Sequence, residues 1–381
     1  MPFEVTRSGA ALQVRVSGPL DAANGQELGE SLGVDGSADV VLDLADCGYL
    51  SSAGLRVVLE LHKQLSKLRR RLIVTNASDV TYRIFETTGF TRMMDISRRA
   101  QKISIDGLEL MSSGVCGECY RLDAERVVKL YYEGVDAKIA EQEKCLAREA
   151  LIMGIPTAIS FEVVTCGSRT GVVYEMLNAE LLSDAIRNDL GQLEHHAKTL
   201  VSITRRIHSA KPSSKDIPSI KPRLVASIEQ LRGDLLNADV QMLHDKLASV
   251  PDAETCVHFD LHTSNIMIKD GESMIIDLGD FSRGSWLFDL GVLYMIYGVP
   301  RLGLCERATQ IPAAKGVELW QRIEQQYFAD KSPEEWKYFH RNRNFLASLR
   351  LIYASTFLPS RRPAYLGMLQ ETLLPAIRDT V

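Results

Sequence analysis

Over the first hundred residues, apolar and polar positions alternate in short stretches. Ala11–Ser17 (ALQVRVS) has a period of two, the pattern of a half-buried strand. Asp39–Leu44 (DVVLDL) reads as a second, mostly apolar strand. Gly54–Leu68 then carries Leu55, Val58, Leu61, Leu65 and Leu68 at steps of three or four, which predicts a helix with one face packed on a sheet. Arg71–Asn76 (RLIVTN) returns to strand, and Ser78–Thr88 reads as a second helix ended by Gly89. Strand–helix–strand–helix order predicts an α/β sandwich with a mixed sheet. The basic run Lys67, Arg69, Arg70, Arg71 falls where cations complement the C-terminal end of the first helix. Ser97–Lys102 (SRRAQK) is polar throughout and is expected to be a linker. Beyond it the texture is β-rich from Ile103 to about Met176. From Ser183 it is long and helical, broken by a strand-like segment around Cys256–Leu278. The chain is therefore expected to be an α+β multidomain protein. A first domain spans 1–101 and a second 102–381, the latter with a small β-rich lobe near 103–177 and a helical lobe near 178–381.

Length agrees with that division, since 381 residues exceed a single core and fit two or three domains. Hydrophobic residues at 45% and charged residues at 24% are ordinary for a water-soluble globular chain. The N-terminal MPFEVTRSGA lacks the apolar core of a signal peptide, and no apolar run reaches the length of a bilayer span. No membrane association is expected. A net charge of −5 argues against a general nucleic-acid binder, whose footprint is basic. Seven scattered cysteines fit reduced thiols in a cytoplasmic protein. Cys116-Gly-Glu-Cys119 has no second pair to complete a zinc site and reads as small residues in a turn.

Candidate chemistry changes the picture more. Phosphoryl transfer requires held phosphates, neutralised charge and a carboxylate that receives the acceptor's proton. His258-Phe-Asp-Leu-His-Thr-Ser-Asn265 sets Asp260 and Asn265 five apart on a loop before an apolar strand. That spacing fits H-x-D-x-x-x-x-N, with Asp260 as catalytic base and Asn265 as metal ligand. A second apolar strand ends in Asp277, so two short strands can converge on one Mg²⁺ site. Upstream, Gly114 and Gly117 lie between strand-like stretches, where glycine lets backbone N–H groups approach phosphate. Lys129 follows two valines on a strand and suits the α- and β-phosphates of ATP. Glu141, Glu143 and Glu149 on the next helix all qualify as its partner, with Glu143 favoured by spacing to Gly154-Ile-Pro156.

H-F-D-L-H-T-S-N followed by I-I-D-L-G-D resembles the aminoglycoside phosphotransferase and choline kinase group of the protein-kinase-like superfamily, over about Gly107–Val381. Phe259 stands where that group commonly has glycine. The resemblance implies a bilobal kinase-like fold, ATP and magnesium. It also implies a hinge at Gly171–Leu177 whose backbone at Glu175 and Leu177 holds adenine, and a structural Asp289 hydrogen-bonded to the catalytic loop. Ile203–Ser209 matches the helix end that packs behind that loop, and no A-P-E segment marks a conventional protein kinase. The acceptor is left as a small-molecule or protein hydroxyl. Acids in Ile220–Pro251 are candidates for recognising a cationic one.

Asp43–Arg56 runs strand, turn and helix start, and Ser51 or Ser52 can N-cap that helix. The stretch resembles the STAS domain of anti-anti-sigma factors. Gly18-Pro-Leu-Asp21, Val40–Leu44, Leu50–Leu55 and Tyr82–Phe90 carry the likeness over about Met1–Ala100. Aligned on Gly54-Leu55, Ser52 falls on the family's phosphoacceptor, although Ser51 replaces the acid before it and Ala53 the second serine. The resemblance implies a regulatory module, with an anti-sigma or STAS-pathway protein as partner.

Overall fold

The computed structural model describes residues 3–8, 11–24, 27–28, 38–212 and 216–379, and it divides the chain into two compact units, Met1–Lys102 and Ile103–Val381. In the first unit, β1 (Phe3–Ser8) and β2 (Ala11–Ser17) form an antiparallel hairpin. The strands β3 (Asp39–Asp46), β4 (Leu72–Ala77) and β5 (Asp95–Arg98) then add in parallel, giving the order β1-β2-β3-β4-β5. Helices α1 (Ser52–Lys67) and α2 (Asp79–Thr87) connect the parallel strands. One face of α1 buries Gly54, Val58, Leu61 and Leu65 in a core with Val14, Val40, Leu42, Val74 and Phe85. Leu68 departs from the predicted stripe: it lies past the helix end and is exposed. The linker expected from Ser97 also starts too early, because Ile96 packs on the core and Arg98 still pairs with Ala77. Arg98 belongs to an edge strand, whose outward positions remain wet.

The second unit opens with strands β6 (Glu109–Ser113), β7 (Gly117–Arg121) and β8 (Arg126–Tyr131), then α3 (Ala137–Ile152), β9 (Ser160–Cys166) and β10 (Arg169–Glu175). They pair antiparallel in the order β9-β10-β8-β7-β6. Val128, Leu130, Val164 and Val173 form the small core of this lobe. The helical lobe follows. Helix α4 (Leu193–Ser209) buries Leu200, Val201, Ile203 and Ile207, and the hairpin β11 (Ile266–Lys269) and β12 (Glu272–Ile275) rises from the core beside it.

Two further helices position the loop before that hairpin. Helix α5 (Leu287–Leu293) is buried along its whole length, and α6 (Pro333–Phe357) is a 25-residue helix started by a Ser332–Glu335 capping box. A Cβ on Gly291 would lie 2.7 Å from the Leu346 backbone, so only glycine lets α5 and α6 approach this closely. Among the described residues no helix is long and apolar enough to cross a membrane, and all seven cysteines are free thiols.

Candidate active site

The loop 258–265 is held by buried polar groups. The Asp289 carboxylate, fully buried on α5, accepts from the backbone N–H of His258 (2.9 Å) and of Phe259 (2.6 Å). His208 at the end of α4 donates Nε2–H to the same carboxylate at 3.0 Å, while its Nδ1 meets the Tyr327 hydroxyl at 2.7 Å. Burial pushes the Asp289 carboxyl up, but His208 and the loop amides outweigh it and hold it below the ordinary carboxylate range. His258 donates Nε2–H to the Ile276 carbonyl and accepts the Asp260 N–H at Nδ1, two contacts met by one neutral tautomer. The backbone turns sharply at Phe259, with φ of +63°.

The hairpin then brings the two amide and acid positions to one end. Ile266 pairs with Ile275, and Ile276 N–H donates to the Asn265 carbonyl at 3.0 Å, so Asn265 and Asp277 bracket the same turn of sheet. Asn265 donates Nδ2–H to the Asp260 carbonyl at 2.9 Å. Lys129 reaches this end from β8: its ammonium lies 2.7 Å from Asp277 Oδ1, and 2.9 and 3.0 Å from the two oxygens of Glu143 on α3. Burial opposes the charge on Lys129, yet the two carboxylates raise its pKa well above the ordinary lysine value. Asp277, which burial would raise, is instead lowered by that ammonium. Glu143 is buried and also accepts from the hydroxyls of Tyr131 and Tyr174, the latter at 2.8 Å. Burial first, then the Glu143 charge, push both phenols up, which keeps them as O–H donors. Of the three glutamates open in the sequence, Glu143 meets Lys129, while Glu149 pairs with Arg148.

The remaining expected positions lie on the small lobe. Gly114 and Gly117 close the β6–β7 hairpin, Gly114 N–H donating to the Gly117 carbonyl at 2.8 Å. A Cβ on Gly117 would sit 2.2 Å from the Leu130 carbonyl oxygen, so strand packing alone demands glycine there. At Gly114 the nearest atom would be 3.5 Å away, and no such demand exists. Glu175 ends β10 with its N–H donating to the Ile159 carbonyl, and Leu177 follows in the segment that leads to the helical lobe.

Arg350 is the site residue that sequence reading missed. From α6 its Nε and Nη2 reach Asp260 Oδ1 at 3.1 and 2.9 Å, and its Nη1 reaches Asp280 Oδ2 at 2.6 Å. Asp280 Oδ1 in turn accepts from Arg223 (3.1 Å) and the Tyr353 hydroxyl (2.9 Å). Burial works against the guanidinium, but Asp260 and Asp280 raise its pKa further above the usual arginine value. Arg350 lies ninety residues from Asp260, with no motif around it. The available signal was an arginine amid the apolar residues of a helix, Leu346 to Ile352.

In the first unit, Ser51 Oγ accepts Gly54 N–H at 3.1 Å and is the N-cap of α1, and Ser52 is the exposed first helical residue. The helix thus starts two residues before the sequence pattern placed it. A Cβ on Gly54 would fall 2.1 Å from the Leu20 carbonyl oxygen, which pins this turn against the segment that follows β2.

Known proteins show both halves. The description "Phosphotransferase enzyme family" matches residues 118–344, and "STAS domain" matches 2–103. The first hundred residues are similar to BtrV of Bordetella bronchiseptica, named as an anti-sigma factor antagonist, at 34% identity over 22% of this chain and 73% of that protein. They are similar also to the anti-sigma-B factor antagonist of Staphylococcus aureus, at 31% identity over 25% of this chain and 91% of that protein. In fold, an aminoglycoside phosphotransferase crystallised with AMP-PNP and hygromycin B superposes with a TM-score of 0.52 at 14% identity, over 72% of this chain and 93% of that one. An ethanolamine kinase of Plasmodium vivax superposes at 0.51 with 15% identity, over 73% and 85%.

Proposed function

We propose, for a chain that belongs to the phosphotransferase enzyme family and carries an N-terminal STAS domain, that its second unit transfers the γ-phosphoryl group of ATP to a hydroxyl. The observation that carries this reading is the convergence of Asp260, Asn265 and Asp277 at one end of a hairpin on which the Lys129–Glu143 pair closes. Lys129 would hold the nucleotide phosphates, with Glu143 fixing its direction. The turn at Gly114 and Gly117 would cover the phosphates, and the backbone at Glu175 and Leu177 would hold adenine. Asp260 would accept the proton of the acceptor hydroxyl as that oxygen bonds to the γ-phosphorus. The bond from phosphorus to the β,γ-bridging oxygen breaks, and ADP leaves with its electron pair.

The donor set fits a hard divalent cation. Asn265 commits its Nδ2 to the Asp260 carbonyl, which leaves Oδ1 as its ligand atom, and Asp277 supplies a carboxylate, so the donors are all oxygen. Magnesium held by Asn265 and Asp277 would neutralise phosphate charge.

The family favours a small-molecule acceptor. The acids of the helical insert lend no support to a cationic one: Glu229 meets Arg232 and His244, Asp234 meets Arg362, Asp239 meets Arg378, and Asp245 meets Gln241. Free thiols throughout support a cytoplasmic setting. A second reading, a signalling kinase acting on a STAS serine in this chain or a partner of an anti-sigma pathway, is favoured by the exposure of Ser52 at a helix N-terminus.

Incubation of the purified chain with ATP and Mg²⁺ tests the reaction. Asp260→Asn is expected to slow ADP release by about 10²–10⁴-fold, the range of general-base catalysis, with nucleotide binding preserved. Turnover equal to the parent's would remove Asp260 from the mechanism.

A further inference from the structure

We infer that Arg350 is a positioning residue for phosphoryl transfer: it holds Oδ1 of Asp260 by an Nε–H hydrogen bond within an ion pair and leaves Oδ2 as the oxygen that addresses the acceptor hydroxyl. The inference rests on the reading of Asp260 as the base. A carboxylate on a loop is free to rotate about its last torsion, which is broad and two-fold, and so presents either oxygen. Here both Nε and Nη2 of Arg350 converge on Oδ1, at 3.1 and 2.9 Å, and no described side chain donates to Oδ2.

Arg350 is itself immobilised, which distinguishes it from a surface arginine that happens to touch an acid. Its side chain is 10% exposed, and its Nη1 is anchored 2.6 Å from Asp280. Asp280 is held from two more directions by Arg223 and Tyr353. The rings of Phe259, Tyr353 and Phe357 surround the guanidinium, with centroids 5.6, 5.7 and 6.0 Å from Cζ. Two of these features come from α6 and one from the loop, so helix and loop grip the same group. The Gly291–Leu346 approach brings α6 near enough to do this. Phe259 supplies a ring where a glycine would leave one side of the guanidinium bare.

The charge balance supports a positioning role over recognition of a second substrate charge. Arg350 and Arg223 face Asp260 and Asp280, so two cations meet two anions, and no charge in the cluster is left over for a ligand. What the arrangement supplies is orientation. Near-attack geometry is worth much of a barrier, and a displacement of about 1 Å in a catalytic group can cost about 10²-fold in rate.

The test uses single-turnover ATP hydrolysis with Mg²⁺, protein in excess over radiolabelled ATP, and water as the acceptor. Maximal rate and half-saturating concentration are read separately for the parent, Asp260→Asn, Arg350→Gln, Arg350→Lys and the double variant Asp260→Asn/Arg350→Gln. Arg350→Gln is expected to lower the maximal rate about 10–10²-fold with half-saturation within about twofold of the parent. Arg350→Lys, which keeps the charge without the fork, should recover part of that loss. The double variant should be no slower than Asp260→Asn, since a residue that acts through Asp260 has nothing left to position. If Arg350→Gln fails to fold, Arg350→Lys carries the test: a lower maximal rate at unchanged half-saturation supports the inference. Parent-like rates in both Arg350 variants overturn it while leaving Asp260 as base, and so does a double variant whose loss is the product of the two single losses. A parent-like rate in Asp260→Asn overturns the underlying reading and this inference with it.

Discussion

Phe259 holds a backbone conformation that a bulky residue adopts at a cost of about 1–2 kcal/mol, because its Cβ crowds the following carbonyl in the left-handed region. The cost is offset by burial. The ring is fully buried and lies 5.5 Å from the Tyr353 ring and 6.4 Å from that of Phe288. Phe259→Gly would relieve the strain but remove a ring whose loss typically costs about 3–5 kcal/mol. We expect net destabilisation of about 1–4 kcal/mol, read by tryptophan fluorescence in urea, since all three tryptophans lie in the second unit. An unchanged or raised midpoint would mean that the ring contributes little. Asp289 makes a pH-dependent contribution at the same scale. Its folded pKa is depressed, so the stability it supplies is present above its unfolded value, about 3.9, and is lost as pH falls through the lower folded value. The protection of the His258 and Phe259 amides, measured against the intrinsic exchange rate at each pH, should therefore fall below about pH 4 in the parent, and Asp289→Asn should leave them weakly protected, and so in fast exchange, already at neutral pH. Slow exchange in that variant would mean the loop is held by other contacts.

At the scale of elements, a glycine can set how closely neighbours pack. Gly54 lies in the first turn of α1, where alanine would ordinarily favour the helix by about 1 kcal/mol. Its Cβ would strike the Leu20 carbonyl at 2.1 Å, and overpacking of that kind costs about 1–3 kcal/mol. Gly54→Ala is thus expected to destabilise the first unit, visible as faster hydrogen exchange along α1 by mass spectrometry. Protection equal to the parent's would show that the turn relaxes at little cost. These elements also show what a one-dimensional pattern carries. The periodicity of Val58, Leu61 and Leu65 located α1, because a helix on a sheet repeats its buried face every three to four residues. Leu68 has the same spacing yet is exposed, since the helix ends at Lys67 and the stripe loses its surface. Strand β1 escaped the sequence reading because Phe3–Ser8 holds few apolar residues, and its pairing with β2 supplies the order that its composition does not.

For the whole molecule, a STAS unit and a phosphotransferase unit on one chain raise the effective concentration of any serine on the first for chemistry on the second. If Ser52 is an acceptor within one chain, peptide mapping after incubation with ATP and Mg²⁺ should find phosphate there at a rate independent of protein concentration, and none in Asp260→Asn. A rate proportional to protein concentration would assign the transfer to separate molecules, and a chain without label at Ser52 would leave the small-molecule acceptor. The sequence by itself determined the two families and the order of lobes, and it singled out Asp260, Asn265 and Asp277 as candidates, since these lie within twenty positions of one another and short-range spacing survives in one dimension. Only the tertiary structure decided which of three glutamates meets Lys129, for all three lie on α3 and only the packing of that helix on β9 and β10 brings Glu143 to the lysine. Tertiary structure alone also revealed Arg350, because a contact across ninety residues depends on how α5 and α6 pack, and that packing turns on the missing side chain of Gly291.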